Sequence, residues 1–134
     1  MNNSVDFLME RYNSNDIHPV SGRGTNELYR VTHSGRTVLV KIAGICSEDI
    51  FNEYNALKLL RESDDTPEVY DFFYIGKRAA VEMEFIQGKS MLDIILGLND
   101  RNKIYECFEK LGKVLSEIHS WRIHNSDIKK NRCS

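Results

Sequence analysis

The sequence predicts an α+β domain built on an antiparallel sheet, and three observations predict it. Apolar and β-branched or aromatic residues fill 28–32, 37–42, 69–75 and 79–86, each stretch bounded by turn residues. Helical spacing occurs at Ile50, Phe51, Tyr54, Leu57 and Leu60, and again at Ile104, Phe108, Leu111, Leu115 and Ile118. The extended stretches come in adjacent pairs joined by short turns instead of alternating with helices, which argues for antiparallel pairing.

Val5, Leu8, Met9 and Tyr12 predict an opening helix over 4–12, with Ser4 as its N-cap. Residues 13–19 are polar and turn-like. Leu28 to Thr32 and Thr37 to Ile42 read as a hairpin around Ser34-Gly35. Ser47, followed by Glu48 and Asp49, predicts a capped, acidic helix start. Asp64-Asp65-Thr66-Pro67 ends that helix. A second strand pair turns at Gly76-Lys77, and Ser90 is placed to cap a short helix through Leu96. After a polar connector at 99–102, the spacing of 4, 3, 4, 3 from Ile104 to Ile118 predicts an amphipathic helix of about four turns.

The chain has 134 residues, 41% of them apolar, enough for one domain or a little more. A net charge of −2 gives no global field to recruit nucleic acid or acidic lipid. The aromatic cluster Tyr70, Phe72, Phe73, Tyr74 has no interleaved basic residues and reads as sheet core, not a base-stacking platform. The N-terminus lacks a basic start and a long apolar run, and nothing approaches the roughly 20 apolar residues of a membrane span. Cys46, Cys107 and Cys133, odd in number and without a CxxC pair, argue against a disulfide framework or Cys-rich zinc site. A reducing cytoplasm is the expected location. The scattered histidines form no metal-ligand pattern, and no Ser/His/Asp or Cys/His nucleophile arrangement has supporting context.

Four places could carry chemistry. Ser21-Gly22-Arg23-Gly24-Thr25-Asn26 lies between extended segments; it is either an ordinary β-turn or a loop whose N–H groups cradle phosphates. It is not a GxxxxGK[ST] P-loop. Lys41 sits within an apolar strand, with Val40 and Ile42 pointing the other way; it faces solvent or reaches a partner. Glu53 lies beside the apolar helix face, as a solvated flank or turned inward to pair with Lys41. The closing stretch from Ile118 to Asn131 contains Asp127, Lys129, Lys130 and Asn131. It is a surface turn and tail, or the residue set of phosphoryl transfer: a carboxylate for a hydroxyl, an amide for Mg²⁺, and nearby cations.

Taken in order, these segments resemble the protein-kinase-like superfamily, most nearly its aminoglycoside/choline phosphotransferase branch and the small RIO-type kinases. Gly22 to Val31 resembles the glycine-loop strand pair, Val38-Leu39-Val40-Lys41 the third strand with its phosphate-binding lysine, and Glu53 the helix glutamate that pairs with it. Thr66-Pro67-Glu68-Val69 fits the turn into the fourth strand, and Val81 to Met91 the fifth strand and hinge. Leu111 to Ser120 is similar to the helix that leads into the catalytic loop. The resemblance runs over residues 18–132. It departs from the family where Glu27 replaces the third glycine, placing a carboxylate near the phosphates. Asn131 follows Asp127 by four residues instead of five, and His124 precedes it by three instead of two.

The resemblance implies a kinase-like small lobe, a five-stranded antiparallel sheet plus helix over 1–86, followed at 87–134 by the hinge and first helices of an incomplete large lobe. It implies ATP and Mg²⁺ as cofactors and an unknown hydroxyl acceptor. Gly22, Gly24, Thr25 and Asn26 would line the phosphates, with Lys41 on the α/β-phosphates and Glu53 orienting it. Backbone groups around Glu84 to Ile86 would hold adenine, Asp127 would act on the acceptor hydroxyl, and Asn131 would assist Mg²⁺. No Asp-Phe-Gly follows before Ser134. The expectation is therefore a phosphotransferase incomplete and inactive alone, or else a non-catalytic nucleotide- or protein-binding module. The last helix is expected to fold its stripe back onto the sheet, or to be covered by a protein partner or second copy. No nucleic acid or membrane partner is expected.

Overall fold

The computed structural model describes residues 3–20, 24–63, 66–88, 97–98 and 100–120. Their elements run α1 (Asn3–Tyr12), β1 (Ile17–Pro19), β2 (Glu27–His33), β3 (Arg36–Ile42), α2 (Ser47–Leu59), β4 (Val69–Ile75), β5 (Arg78–Glu84) and α3 (Arg101–Ser120). The five strands form one antiparallel sheet in the order β1-β2-β3-β5-β4. The short helix expected after Ser90 lies outside the described residues.

Strand alternation divides the core between the two faces of this sheet. On one face Val31, Val38, Val40, Ile42, Phe73 and Ala80 pack with Leu8 of α1. On the other, Ala79, Val81 and Met83 pack with Ile50 of α2, with Leu39, Tyr54, Leu57 and Phe72 around them. Tyr54 stacks on Phe72 at 5.3 Å between ring centroids, and Phe51 meets the same ring edge-on at 5.7 Å. Of the aromatic run at 70–74, Phe72 and Phe73 join the sheet core, but Tyr74 is 55% exposed. Tyr70 and Phe73 carry the guanidinium groups of Arg36 and Arg11, basic neighbours that the local sequence does not show.

Several boundaries differ from the sequence reading. Residues 17–19 are not turn but a short edge strand: Ile17 is buried opposite Val31, and Pro19, which has no N–H to donate, sits at the end of the edge. Ser47 does not cap α2; Cys46 holds the N-cap position, and its side chain makes no capping hydrogen bond to the helix. The Ser47 hydroxyl instead donates to the Lys77 carbonyl at 3.2 Å and accepts the Ala79 N–H at 3.0 Å, fastening the helix start to the β4–β5 turn. Strand β5 stops at Glu84, leaving Phe85 and Ile86 outside the ladder. Cys107 is a free thiol, but Cys46 is disulfide-bonded. Sequence spacing alone does not report which thiols meet in space.

The stripe of α3 does not fold back onto the sheet. Tyr105, Phe108, Leu111 and Leu115 are 65%, 54%, 37% and 43% exposed, and α3 buries no residue. No helix among the described residues is long and apolar enough to cross a membrane.

Candidate functional site

The pattern of β3 determines which way its lysine points. Val38, Val40 and Ile42 are fully buried toward α1, so Leu39 and Lys41 must face α2. There the Lys41 ammonium meets the Glu53 carboxylate at 2.9 Å. Glu53 reaches it because α2 lays Ile50, Tyr54 and Leu57 onto the same sheet face, so residue 53 stands at the edge of the contact. Both side chains are about a third or less exposed, 27% and 32%. An ammonium has three donors, and one directed at Glu53 leaves two for other oxygens. The pair can therefore hold a fixed positive charge toward an anionic ligand while one hydrogen bond orients it.

The described part of the glycine-rich loop, Gly24 to Asn26, approaches the chain just beyond Lys41. Gly24 has φ +103, a conformation that side-chain-bearing residues rarely adopt. The Asn26 Oδ1 accepts the Gly44 N–H at 3.0 Å. A Cβ on Gly44 would overlap the Thr25 carbonyl. Asn26 thus braces the loop through its side chain, a role invisible in sequence because its partner is eighteen residues away.

Glu27 does not join this face. It pairs with Ile42 in register and points with it toward α1, away from Lys41. Its carboxylate is bonded by Arg78, by the Tyr29 hydroxyl at 2.9 Å and by the Ser4 hydroxyl at 3.3 Å. Burial pushes the Glu27 carboxyl up, but the hydrogen bonds and charge of Arg78, with those of Tyr29 and Ser4, outweigh it and hold the group below the usual range. The departure from the third glycine therefore places no carboxylate beside Lys41; it fastens α1 to the sheet.

Farther along the Lys41 face lies a cavity of about 360 Å³ lined by Arg30, Thr32, Thr37, Phe85 and Gln87. Glu84 and Ile86 flank it, both exposed. The Glu84 N–H is taken by the Glu68 carbonyl at 2.7 Å. Among the described residues, Ile86 and Gln87 make no backbone hydrogen bond outside the ladders. Sequence reasoning missed Arg30, although its alternation with buried Tyr29 and Val31 assigns it to the Lys41 face. Gly22, Asp127 and Asn131 lie outside the described residues. No group of three or more His, Cys, Asp or Glu suited to a metal occurs among those described.

Solved structures share this architecture. A thermostable mutant of aminoglycoside phosphotransferase APH(4)-Ia, in ternary complex with ADP and hygromycin B, matches at a TM-score of 0.66 and 16% identity, over 90% of this chain and 40% of that one. The apo form of a thermostable APH(4)-Ia mutant matches at 0.62 and 17% identity, over 87% and 39%. Rad53 in complex with AMP-PNP matches at 0.55 and 16% identity, over 90% and 35%. The chain thus spans about 40% of the length of the first of these. At such identities the likeness establishes the kinase-like fold. The family follows from the sequence itself: residues 16–130 match the model of the phosphotransferase enzyme family, APH, and the chain belongs to that family.

Proposed function

We propose that this chain forms the nucleotide-binding part of a phosphotransferase that moves a phosphoryl group from a nucleoside triphosphate, with ATP the first to test, to a hydroxyl acceptor. The observation that carries this reading is the Lys41–Glu53 pair at 2.9 Å beside a braced glycine-rich loop, in a chain of the phosphotransferase family. The ADP in the APH(4)-Ia complex and the AMP-PNP in the Rad53 complex support a nucleotide on this fold, and the hygromycin B of the former supports a second small molecule as acceptor.

Residues 1–86 form the small lobe in this reading, and 87–134 the hinge and the first helices of the large lobe. Lys41 binds α- and β-phosphate oxygens, with Glu53 holding its ammonium in place. N–H groups of Gly22, Gly24, Thr25 and Asn26 face the phosphates. The backbone from Glu84 to Ile86 meets the base. Asp127 takes the proton of the acceptor hydroxyl as the O–Pγ bond forms and the bond from Pγ to the bridging oxygen breaks, releasing the nucleoside diphosphate. When bound, Mg²⁺ neutralises charge on the phosphate oxygens, and Asn131 is the residue we assign to it.

A second reading is a non-catalytic nucleotide- or protein-binding module. Because the chain spans about 40% of the APH(4)-Ia structure that it matches, we expect it by itself to bind nucleotide without turnover. Calorimetric titration with ATP·Mg²⁺ tests the first step. Binding that weakens at least tenfold in Lys41→Ala supports the nucleotide site; no binding at millimolar nucleotide overturns it. Acceptor labelling lost in Asp127→Ala but present in the parent would make the chain an enzyme in its own right.

A further inference from the structure

The cavity beside Phe85 contains a cation with no ion-pair partner among the described residues. Arg30 is half-buried, and its guanidinium enters none of the ion pairs among the described residues. The Thr32 and Thr37 hydroxyls beside it bond each other at 3.0 Å and so do not saturate it. Phe85 adds an aromatic ring and Gln87 a terminal amide to the same lining. A volume of about 360 Å³ is ample for a purine ring.

The cavity is placed in line with the lysine. Leu28 pairs with Lys41, Arg30 with Leu39 and Thr32 with Thr37, so the cavity lies along the same face of the same strands. Two residues of β3 separate Lys41 from Leu39, the partner of Arg30, and four separate it from Thr37, so the cavity lies about 7–13 Å from the lysine along the strand. That separation is of the order of the distance from base to β-phosphate in an extended nucleotide. A ligand with its phosphates at Lys41 would bring its base to Arg30.

We propose that Arg30 reads the base edge and makes the cleft prefer guanine nucleotides to adenine nucleotides. The inference rests on the nucleotide reading above and specifies it further. A guanidinium only donates, through a planar fork. Guanine offers two adjacent acceptors, O6 and N7, and arginine binds that edge bidentately. Adenine offers N7 beside an N6 amino donor, so one arm of the fork would face a donor and lose its partner. The Gln87 amide can accept the guanine N1–H or, turned over, donate to adenine N1, so it serves either purine without selecting. Phe85 supplies a ring against which any purine can lie, so it adds affinity without selecting.

The test is direct binding of GTP, inosine triphosphate and ATP, each with Mg²⁺, to the full chain and to Arg30→Met, Arg30→Lys and Lys41→Ala. Inosine triphosphate keeps the O6/N7 edge and lacks the 2-amino group. GTP and inosine triphosphate should bind about tenfold more tightly than ATP. Arg30→Met should bring all three to one level, and Arg30→Lys should retain only part of the preference. Lys41→Ala should weaken all three alike, which separates the phosphate end from the base end. Thermal unfolding and circular dichroism matching the parent will show that Arg30→Met is folded. ATP binding as tightly as GTP to the parent, or a GTP preference that survives in Arg30→Met, overturns the proposal while leaving the nucleotide site standing. A chain that binds none of the three overturns both.

Discussion

Asn26 and Gly44 are joined by a hydrogen bond of 3.0 Å from the Gly44 N–H to the Asn26 side-chain oxygen. The bond ties the glycine-rich loop to the connector that follows Lys41. It requires the two backbones to lie so close that residue 44 has no room for a Cβ beside the Thr25 carbonyl. The position of the described part of the loop against the connector is therefore fixed by packing as well as by the hydrogen bond.

Gly44→Ala should force the loop and connector apart. Backbone is what the new methyl meets, and backbone yields less readily than a side-chain tip. The expected cost is about 1–3 kcal/mol, seen as a lower urea midpoint with unchanged slope. Asn26→Ala removes only the bond and should cost about 1 kcal/mol. A Gly44→Ala variant as stable as the parent would mean that the Thr25 carbonyl moves freely.

What the sequence revealed follows from where the information lay. Lys41 was legible because strand alternation set it opposite Val40 and Ile42, and Glu53 because helical spacing set it beside Ile50, Tyr54 and Leu57. Both are local periodicities. Glu27 was misread because its partners, Arg78 and Ser4, are distant in sequence. No period reports a contact between β2, β5 and α1. Ser47 misled for the same reason: a residue type that suits an N-cap found a better-placed carbonyl and N–H across the β4–β5 turn. Arg30 carried the right signal, and only its alternation with Tyr29 and Val31 had to be followed.

The Glu27 carboxyl makes stability depend on acid pH. Its folded-state value lies below the ordinary 4.5, so the unfolded chain binds more protons as pH falls below that value. The stabilisation is fully present above pH 4.5 and is lost as pH falls toward the folded-state value. Urea midpoints measured from neutral pH downward should drop in this window, and Glu27→Gln should flatten that drop. An unchanged acid limb in Glu27→Gln would show that Arg78 is not holding the charged form.

Tyr12 sets the opposite limit. Its hydroxyl donates to the nearly buried Glu82 carboxylate at 2.5 Å. Burial, the hydrogen bond to Glu82 and the charge of that carboxylate push the phenol well above its ordinary 10.0, against the smaller opposing pull of Arg11. A group raised in the folded state stabilises fully below its unfolded value and stops doing so as pH rises through the folded one. Stability should therefore begin to fall near pH 10, and Tyr12→Phe should lack this alkaline limb. At neutral pH Tyr12→Phe strips the buried carboxylate of a donor and should cost about 1–3 kcal/mol.

The α3 stripe makes the last prediction. Spacing of 4, 3, 4, 3 from Ile104 to Ile118 is the seam of a coiled coil, and a straight helix face this apolar is rarely left in water. The positions flanking the seam are Tyr105, Cys107, Gly112, Val114 and His119, so no Asp, Glu, Lys or Arg opposes close approach of a second copy. The chain in isolation should associate through α3 in a concentration-dependent manner by sedimentation equilibrium. Phe108→Lys combined with Leu115→Glu should return it to 15.5 kDa without lowering its melting temperature, because neither side chain supports the described core. A parent chain that stays monomeric at high micromolar concentration would sink the pairing. Loss of the fold in the double variant would show instead that the stripe packs within the chain.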